Sequence, residues 1–167
     1  ANRGRMYLEQ GNLEAALRDS DRAIELNSSS YAAYQNRSLI LEQLGKRQEA
    51  LDDINVAILL QSNNPNAYND RAILLKKLGR LDEAIDDYNR AIRLKTDVPA
   101  FYYNRGNALA MAGRYEEAVL DYTVAIELSR GGHPDYFRNR AAALGRLGRA
   151  DEARRDLEAA LAPAVAR

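Results

Sequence analysis

Residues 102–122 read YYNRGNALAMAGRYEEAVLDY. Apolar residues recur at helical spacing on both sides of Gly113, so the stretch predicts two helices broken at that glycine. Glycine takes the left-handed backbone that ends a helix without the steric cost of a Cβ. Glu116 and Glu117 then suit the start of the second helix, where the dipole favours negative charge. Asn104 and Arg105 are harder to place. They are a polar pair inside the first helix, beside residues that should pack.

The same pattern runs along the chain. Gly11, Gly45, Gly79, Gly113 and Gly148 are separated by 34, 34, 34 and 35 residues. Five residues beyond each stands Ala16, Ala50, Ala84, Ala118 or Ala153, and seven further Ala23, Ala57, Ala91, Ala125 or Ala160. Tyr34, Tyr68, Tyr102 and Phe137 open four of the units. A small residue precedes each glycine by seven: Gly4, Ser38, Ala72, Gly106 and Ala141. Small residues at fixed places let two helix backbones approach closely. The expected organisation is one domain over 1–167, in units of about 1–30, 31–64, 65–98, 99–133 and 134–167.

This order of aromatic, small and alanine positions in a 34-residue unit resembles the tetratricopeptide repeat (TPR) family over essentially the whole chain. The resemblance implies an all-α fold, a right-handed superhelical solenoid of antiparallel helix hairpins, each hairpin burying its apolar face against its neighbours. There are departures. Ser28, Ser62, Thr96 and Arg130 stand where the family usually closes a unit with proline, and Pro65, Pro99 and Pro134 instead open the next unit. The first unit lacks its opening residues, so its first helix is expected to be truncated. After the second-helix alanine come Leu17, Leu51, Ile85 and Val119, but then Arg154. That charge reads as a terminal face, placing the end of the array near the C-terminus and a cut at the N-terminal side.

Composition bounds the rest. Hydrophobic residues make up 46% and charged residues 29%, ordinary values for a folded chain. Lys+Arg is 24 and Asp+Glu is 24, which argues against a bulk polyanion binder. Absence of cysteine excludes disulfides and thiolate metal sites. No apolar run approaches the roughly 20 residues a membrane helix needs.

Aligned on the glycines, the polar pair recurs as Asn2-Arg3, Asn36-Arg37, Asp70-Arg71, Asn104-Arg105 and Asn139-Arg140. A half-buried arginine needs an acceptor. The second helix of each unit supplies one at a constant place: Asp19, Asp53, Asp87, Asp121 and Asp156. The expectation is a structural arginine–aspartate bridge within each repeat, with the neighbouring repeat in reach. The residue before each arginine lies about 100° around the helix from it. In the TPR family the first helices line a concave groove that contacts ligand. On that surface the resemblance places Asn36, Leu39, Asn69, Asp70, Ile73, Tyr103, Asn104, Asn107, Arg138 and Asn139 as ligand-binding residues. Asparagine carries both a donor and an acceptor, so a ladder of them suits the backbone of an extended peptide. The implied function is a protein-interaction scaffold taking a peptide or protein segment. The alternatives are weak self-association through the repeat ends, or an adaptor domain of a larger protein.

Other functions find little in the sequence. The family's clamp for a chaperone C-terminal carboxylate needs lysine, asparagine and arginine over three repeats, and Asp70 and Asp135 would repel that ligand. His133 is the one histidine, in a Gly-Gly-His-Pro turn, with no nucleophile and base assembled by sequence around it. The paired acids Asp52-Asp53, Asp86-Asp87 and Glu116-Glu117 read as second-helix solvent faces with one member free to bridge. Arg138, Arg140, Arg146, Arg149, Arg154 and Arg155 enrich the last unit, but acids are interspersed and no aromatic ladder accompanies them. The expectation is therefore no catalysis, cofactor, metal, nucleic acid or membrane.

Overall fold

Proline at a first helical position or glycine just past a last one marks four of the helices among the described residues. The structure is a computed structural model that describes the backbone of residues 2–130 and 133–161, and the side chains from residue 11 onward within those ranges. Among the described residues there are nine helices and no strand. They are α1 (Asn2–Leu26), α2 (Tyr31–Gln43), α3 (Arg47–Leu60), α4 (Pro65–Lys77), α5 (Leu81–Leu94), α6 (Pro99–Met111), α7 (Tyr115–Leu128), α8 (Pro134–Arg146) and α9 (Ala150–Leu161). Pro65, Pro99 and Pro134 start α4, α6 and α8, where a missing N–H costs nothing. The Ser30 hydroxyl and the Asn64 side-chain oxygen accept the cap bonds of α2 and α4.

Gly45, Gly79, Gly113 and Gly148 take φ of +78°, +77°, +77° and +73°. After α6, the N–H of Arg114 reaches back to the Leu109 carbonyl at 2.9 Å and that of Gly113 to Ala110 at 3.1 Å. These bonds satisfy carbonyls that the helix end would strand. Gly11 behaves differently. The repeat spacing predicts a shortened hairpin broken there, but α1 runs unbroken from Asn2 to Leu26. Glycine inside a helix costs only about 1 kcal/mol against alanine. Reversal at the other glycines is supported by a buried leucine four residues earlier (Leu41, Leu75, Leu109 and Leu144), whereas that place before Gly11 holds Tyr7.

The chain divides into two compact units, Ala1–Gly79 and Arg80–Arg167. In the first, α1 packs on α2, α2 on α3 and α3 on α4. Its core is made of Leu41, Ala50, Leu51, Ile54, Ala57, Ala72 and Leu75. In the second, α5 through α9 pack in sequence order, around Tyr88, Phe101, Leu109, Ala118, Tyr122, Ala125 and Leu144. Ala50, Ala57, Ala84, Ala91, Ala118 and Ala125, the paired alanines of the three middle repeats, are fully buried, so helix backbones meet closely there. At Ser38 the hydroxyl donates to the Ala50 carbonyl at 2.7 Å. At Gly106 an added Cβ would stand 2.8 Å from Cε1 of Tyr122.

The repeat arginines tie neighbouring helices together. Arg105 donates through Nε and Nη2 to both carboxylate oxygens of Asp121, at 2.7 and 2.6 Å, and through Nη1 to Asn89 at 2.6 Å. One guanidinium on α6 thus joins α5 and α7. Arg37 joins Asp53 on α3, at 2.6 and 2.7 Å, to Asp21 on α1, at 2.8 Å. Arg140 joins Asp156 on α9 to Thr123 on α7. The guanidinium carbons of Arg37, Arg71, Arg105 and Arg140 each lie 5.7–5.8 Å from the ring centre of Tyr34, Tyr68, Tyr102 and Phe137. Arg71 also donates to Asn55 at 2.9 Å. Arg71 belongs to the first unit and Asp87, which is buried, to the second. The expected pair Arg3–Asp19 involves an arginine side chain outside the described residues, and Asp19 is exposed.

Arg105→Leu leaves the buried Asp121 carboxylate without its fork. It should destabilise the chain by roughly 1–3 kcal/mol in urea unfolding, and Arg105→Leu/Asp121→Leu should recover much of that loss. A single variant as stable as wild type would show that the pair is solvated.

Candidate functional site

The arginines point their charge between helices, so the preceding residue on each first helix turns to another face. In the first unit that face joins α2 to α4. The Gln35 amide donates to Asp70 at 2.7 Å, and Asn69 donates to the other Asp70 oxygen at 3.3 Å. Lys77 pairs with Glu42 two turns further along. Burial raises Asp70 above the usual carboxylate range, its bonds from Gln35 and Asn69 oppose this, and the Glu42 charge adds to it. Burial, then the Lys77 charge, lowers Lys76. Asn36 is exposed, Leu39 is 42% exposed and Ile73 is half-buried.

In the second unit the corresponding face joins α6 to α8. The Asn139 amide donates to the Tyr103 hydroxyl at 3.0 Å and to the Asn107 carbonyl oxygen at 2.8 Å. The same Asn107 oxygen accepts from the Tyr122 hydroxyl at 2.8 Å. The Tyr103 ring lies 4.6 Å from that of Tyr136, tilted by 38°, and 5.9 Å from that of Tyr122. Burial pushes the Tyr122 and Tyr136 phenols above their usual range, with the nearby Tyr103 adding to it. Both therefore keep their protons as hydrogen-bond donors at ordinary pH. Arg138 is exposed and donates to Asp135 at 2.9 Å.

The structure thus brings Asn69 together with Asp70, and Tyr103 with Asn107 and Asn139. Tyr103, Asn107 and Asn139 lace α6 to α8, whereas Asn69 bonds its neighbour Asp70 within α4 and Asn36 is exposed. Sequence reasoning passed over Tyr136. It occupies the place of Ala33, Ala67 and Phe101, all buried, and reads as core, yet it is half-exposed against Tyr103.

The matches to known families follow the same repeat. Family models described as tetratricopeptide repeat cover residues 2–67, 54–86 and 99–131, and one described as TPR repeat covers 74–113. The chain belongs to the tetratricopeptide repeat family. No curated protein matches its sequence. Among solved structures it is similar to MamA, with TM-score 0.84 and 20% identity over 95% of this chain and 92% of that one. It is also similar to YrrB, a TPR protein with an unusual peptide-binding site, with TM-score 0.76 and 25% identity over 96% and 82%. A third is pilF of Pseudomonas aeruginosa, with TM-score 0.81 and 21% identity over 95% and 72%. The fold class is that of these TPR structures, an all-α solenoid of helix hairpins.

The second helices of this TPR chain carry a different chemistry. A cleft of about 590 Å³ in the second unit is lined by Val119, Leu120, Thr123, Leu144 and Arg155, with the exposed pair Arg149–Glu152 on its wall. Leu120 is 66% exposed. In the last repeat Arg138, Arg140, Arg149 and Arg154 are each matched to a carboxylate, which leaves little of its basic appearance as free charge. His133 caps α8, its Nδ1 accepting from the Asp135 N–H at 3.4 Å. Among the described residues no group of three or more histidines, cysteines or acids could hold a metal ion, and no helix is long and apolar enough to cross a membrane.

The raised pKa of Asp70 means that folding favours the neutral form more than the unfolded chain does. That contribution is complete below the ordinary carboxylate value and is lost as pH rises through the folded value. Asp70→Asn should therefore raise the melting temperature at pH 7, by an amount that shrinks as the pH falls into the carboxylate range. A variant less stable than wild type at pH 7 would show that the bonds from Gln35 and Asn69 outweigh burial.

Proposed function

We propose that this chain is a protein-interaction module whose first-helix face binds an extended peptide or protein segment. The observation that carries the reading is the Tyr103–Tyr136 pair beside Asn107 and Asn139, four side chains held in fixed geometry between α6 and α8. Half-buried aromatics on a rigid frame give contact area at low entropic cost, and neighbouring amides give hydrogen bonds to a backbone. Asn104 lies one turn before Asn107 on the same helix, and Met111, 60% exposed, extends the face by another turn. The likeness to YrrB, a TPR protein with a peptide-binding site, supports the same class of ligand.

Binding rather than catalysis fits the chemistry of the described residues, whose single histidine is spent on a helix cap. Asp70 disfavours a terminal carboxylate on the first unit's face, so the ligand there is an internal segment rather than a chaperone tail. Leu39 and Ile73 give that face its apolar contacts.

The test is to select peptides from a random displayed library on the immobilised chain, then titrate one of them in solution. Tyr136→Ala should weaken binding by about tenfold or more, the loss typical of a central aromatic anchor. Leu120→Asp on α7 should leave affinity unchanged. The reverse result would move the site to the second helices.

A further inference from the structure

We infer that the first unit's face takes an internal acidic side chain of the bound segment, an aspartate or glutamate, on the Lys76 ammonium. This rests on the peptide-binding reading above and names the class of peptide. The pairing of charges on the face decides it. Four charged side chains stand there: Glu42 on α2, and Asp70, Lys76 and Lys77 on α4. Lys77 pairs with Glu42. Asp70 has both carboxylate oxygens bonded, one by Gln35 and one by Asn69. Lys76 is half-buried, and among the described residues no carboxylate bonds it. It lies three residues beyond Ile73 and seven beyond Asn69, which puts it on the same side of α4 as those two.

Taking a cation out of water without a counter-charge is unfavourable. Burial acts on the Lys76 ammonium first and the like charge of Lys77 second, and both disfavour its charged form. A ligand carboxylate set against it offsets both. The attraction is stronger there than at a fully exposed lysine, because partial burial weakens screening by solvent. One unpaired cation matches the single charge of a carboxylate. Asp70 does not oppose this placement, since six residues, or about 9 Å of helix, separate it from Lys76. The same place in the next two repeats holds Ala110 and Gly145, so the second unit's face lacks this group.

Lys76→Gln removes the ammonium. Lys46→Gln removes the same charge away from the face, from the exposed pair with Glu49. Random displayed dodecapeptide libraries are selected in parallel on wild type and on both variants, with circular dichroism checking each fold. Wild type and Lys46→Gln should enrich aspartate or glutamate at one place in the peptides, and Lys76→Gln should not. One acidic peptide selected on wild type is then synthesised with both ends capped, beside a counterpart carrying the matching amide at that place. The acidic peptide should bind wild type and Lys46→Gln about fivefold or more tightly than its counterpart, and Lys76→Gln should bind the two equally. Absence of acidic enrichment on wild type, equal affinities there, or a preference that survives Lys76→Gln or is lost in Lys46→Gln would overturn the assignment. Binding of either peptide would in those cases leave the peptide-binding reading standing. If no library peptide binds wild type, that reading fails and the assignment falls with it.

Discussion

A guanidinium fork held between helices is the constraint on which the rest of this chain depends. Arg37, Arg105 and Arg140 each reach from a first helix to the second helix of the same repeat and to the helix before it. Each is packed near an aromatic ring one turn earlier, which supplies the apolar side of its environment. Once the arginine's direction is fixed, the rotation of its helix is fixed too. The buried alanines permit close approach but carry little directional information, whereas a two-pronged bond to a carboxylate has one productive geometry. The fork therefore sets which residues of α2, α6 and α8 meet the neighbouring first helix and which meet solvent.

The candidate face is a consequence of that rotation. Residues adjacent to the arginines, and a turn on either side, form the bonds between successive first helices within each compact unit. In the first unit the join is an amide to a half-buried carboxylate, Gln35 to Asp70. In the second it is a neutral cluster of two tyrosines and two asparagines, Tyr122 anchoring it from α7. The two faces consequently offer different chemistry: charged groups on one, neutral amides and aromatic surface on the other.

Much of the fold was legible because it repeats. The glycines at 34- and 35-residue spacing marked four of the helix ends, and the arginine–aspartate recurrence pointed to the bonds seen at Arg37, Arg105 and Arg140. Gly11 misled because a glycine permits a reversal without forcing one; packing decides, and α1 continues through it. The candidate face was only partly legible. Helical rotation placed Asn107 and Asn139 on one surface, but not the fact that they bond each other, which depends on the separation of α6 and α8. Tyr136 was missed because its place in the repeat is otherwise filled by buried residues, and nothing local marks it as half-exposed.

Amide hydrogen exchange over the whole chain, with and without a saturating library-selected peptide, tests the central claim most directly. A ligand held by the first helices should slow exchange in α6 and α8, around Tyr103–Asn107 and Tyr136–Asn139, and leave the exposed surface of α7 and α9 unchanged. Protection concentrated on α7 and α9 around Leu120 and Arg155, with none on α6 and α8, would contradict the account.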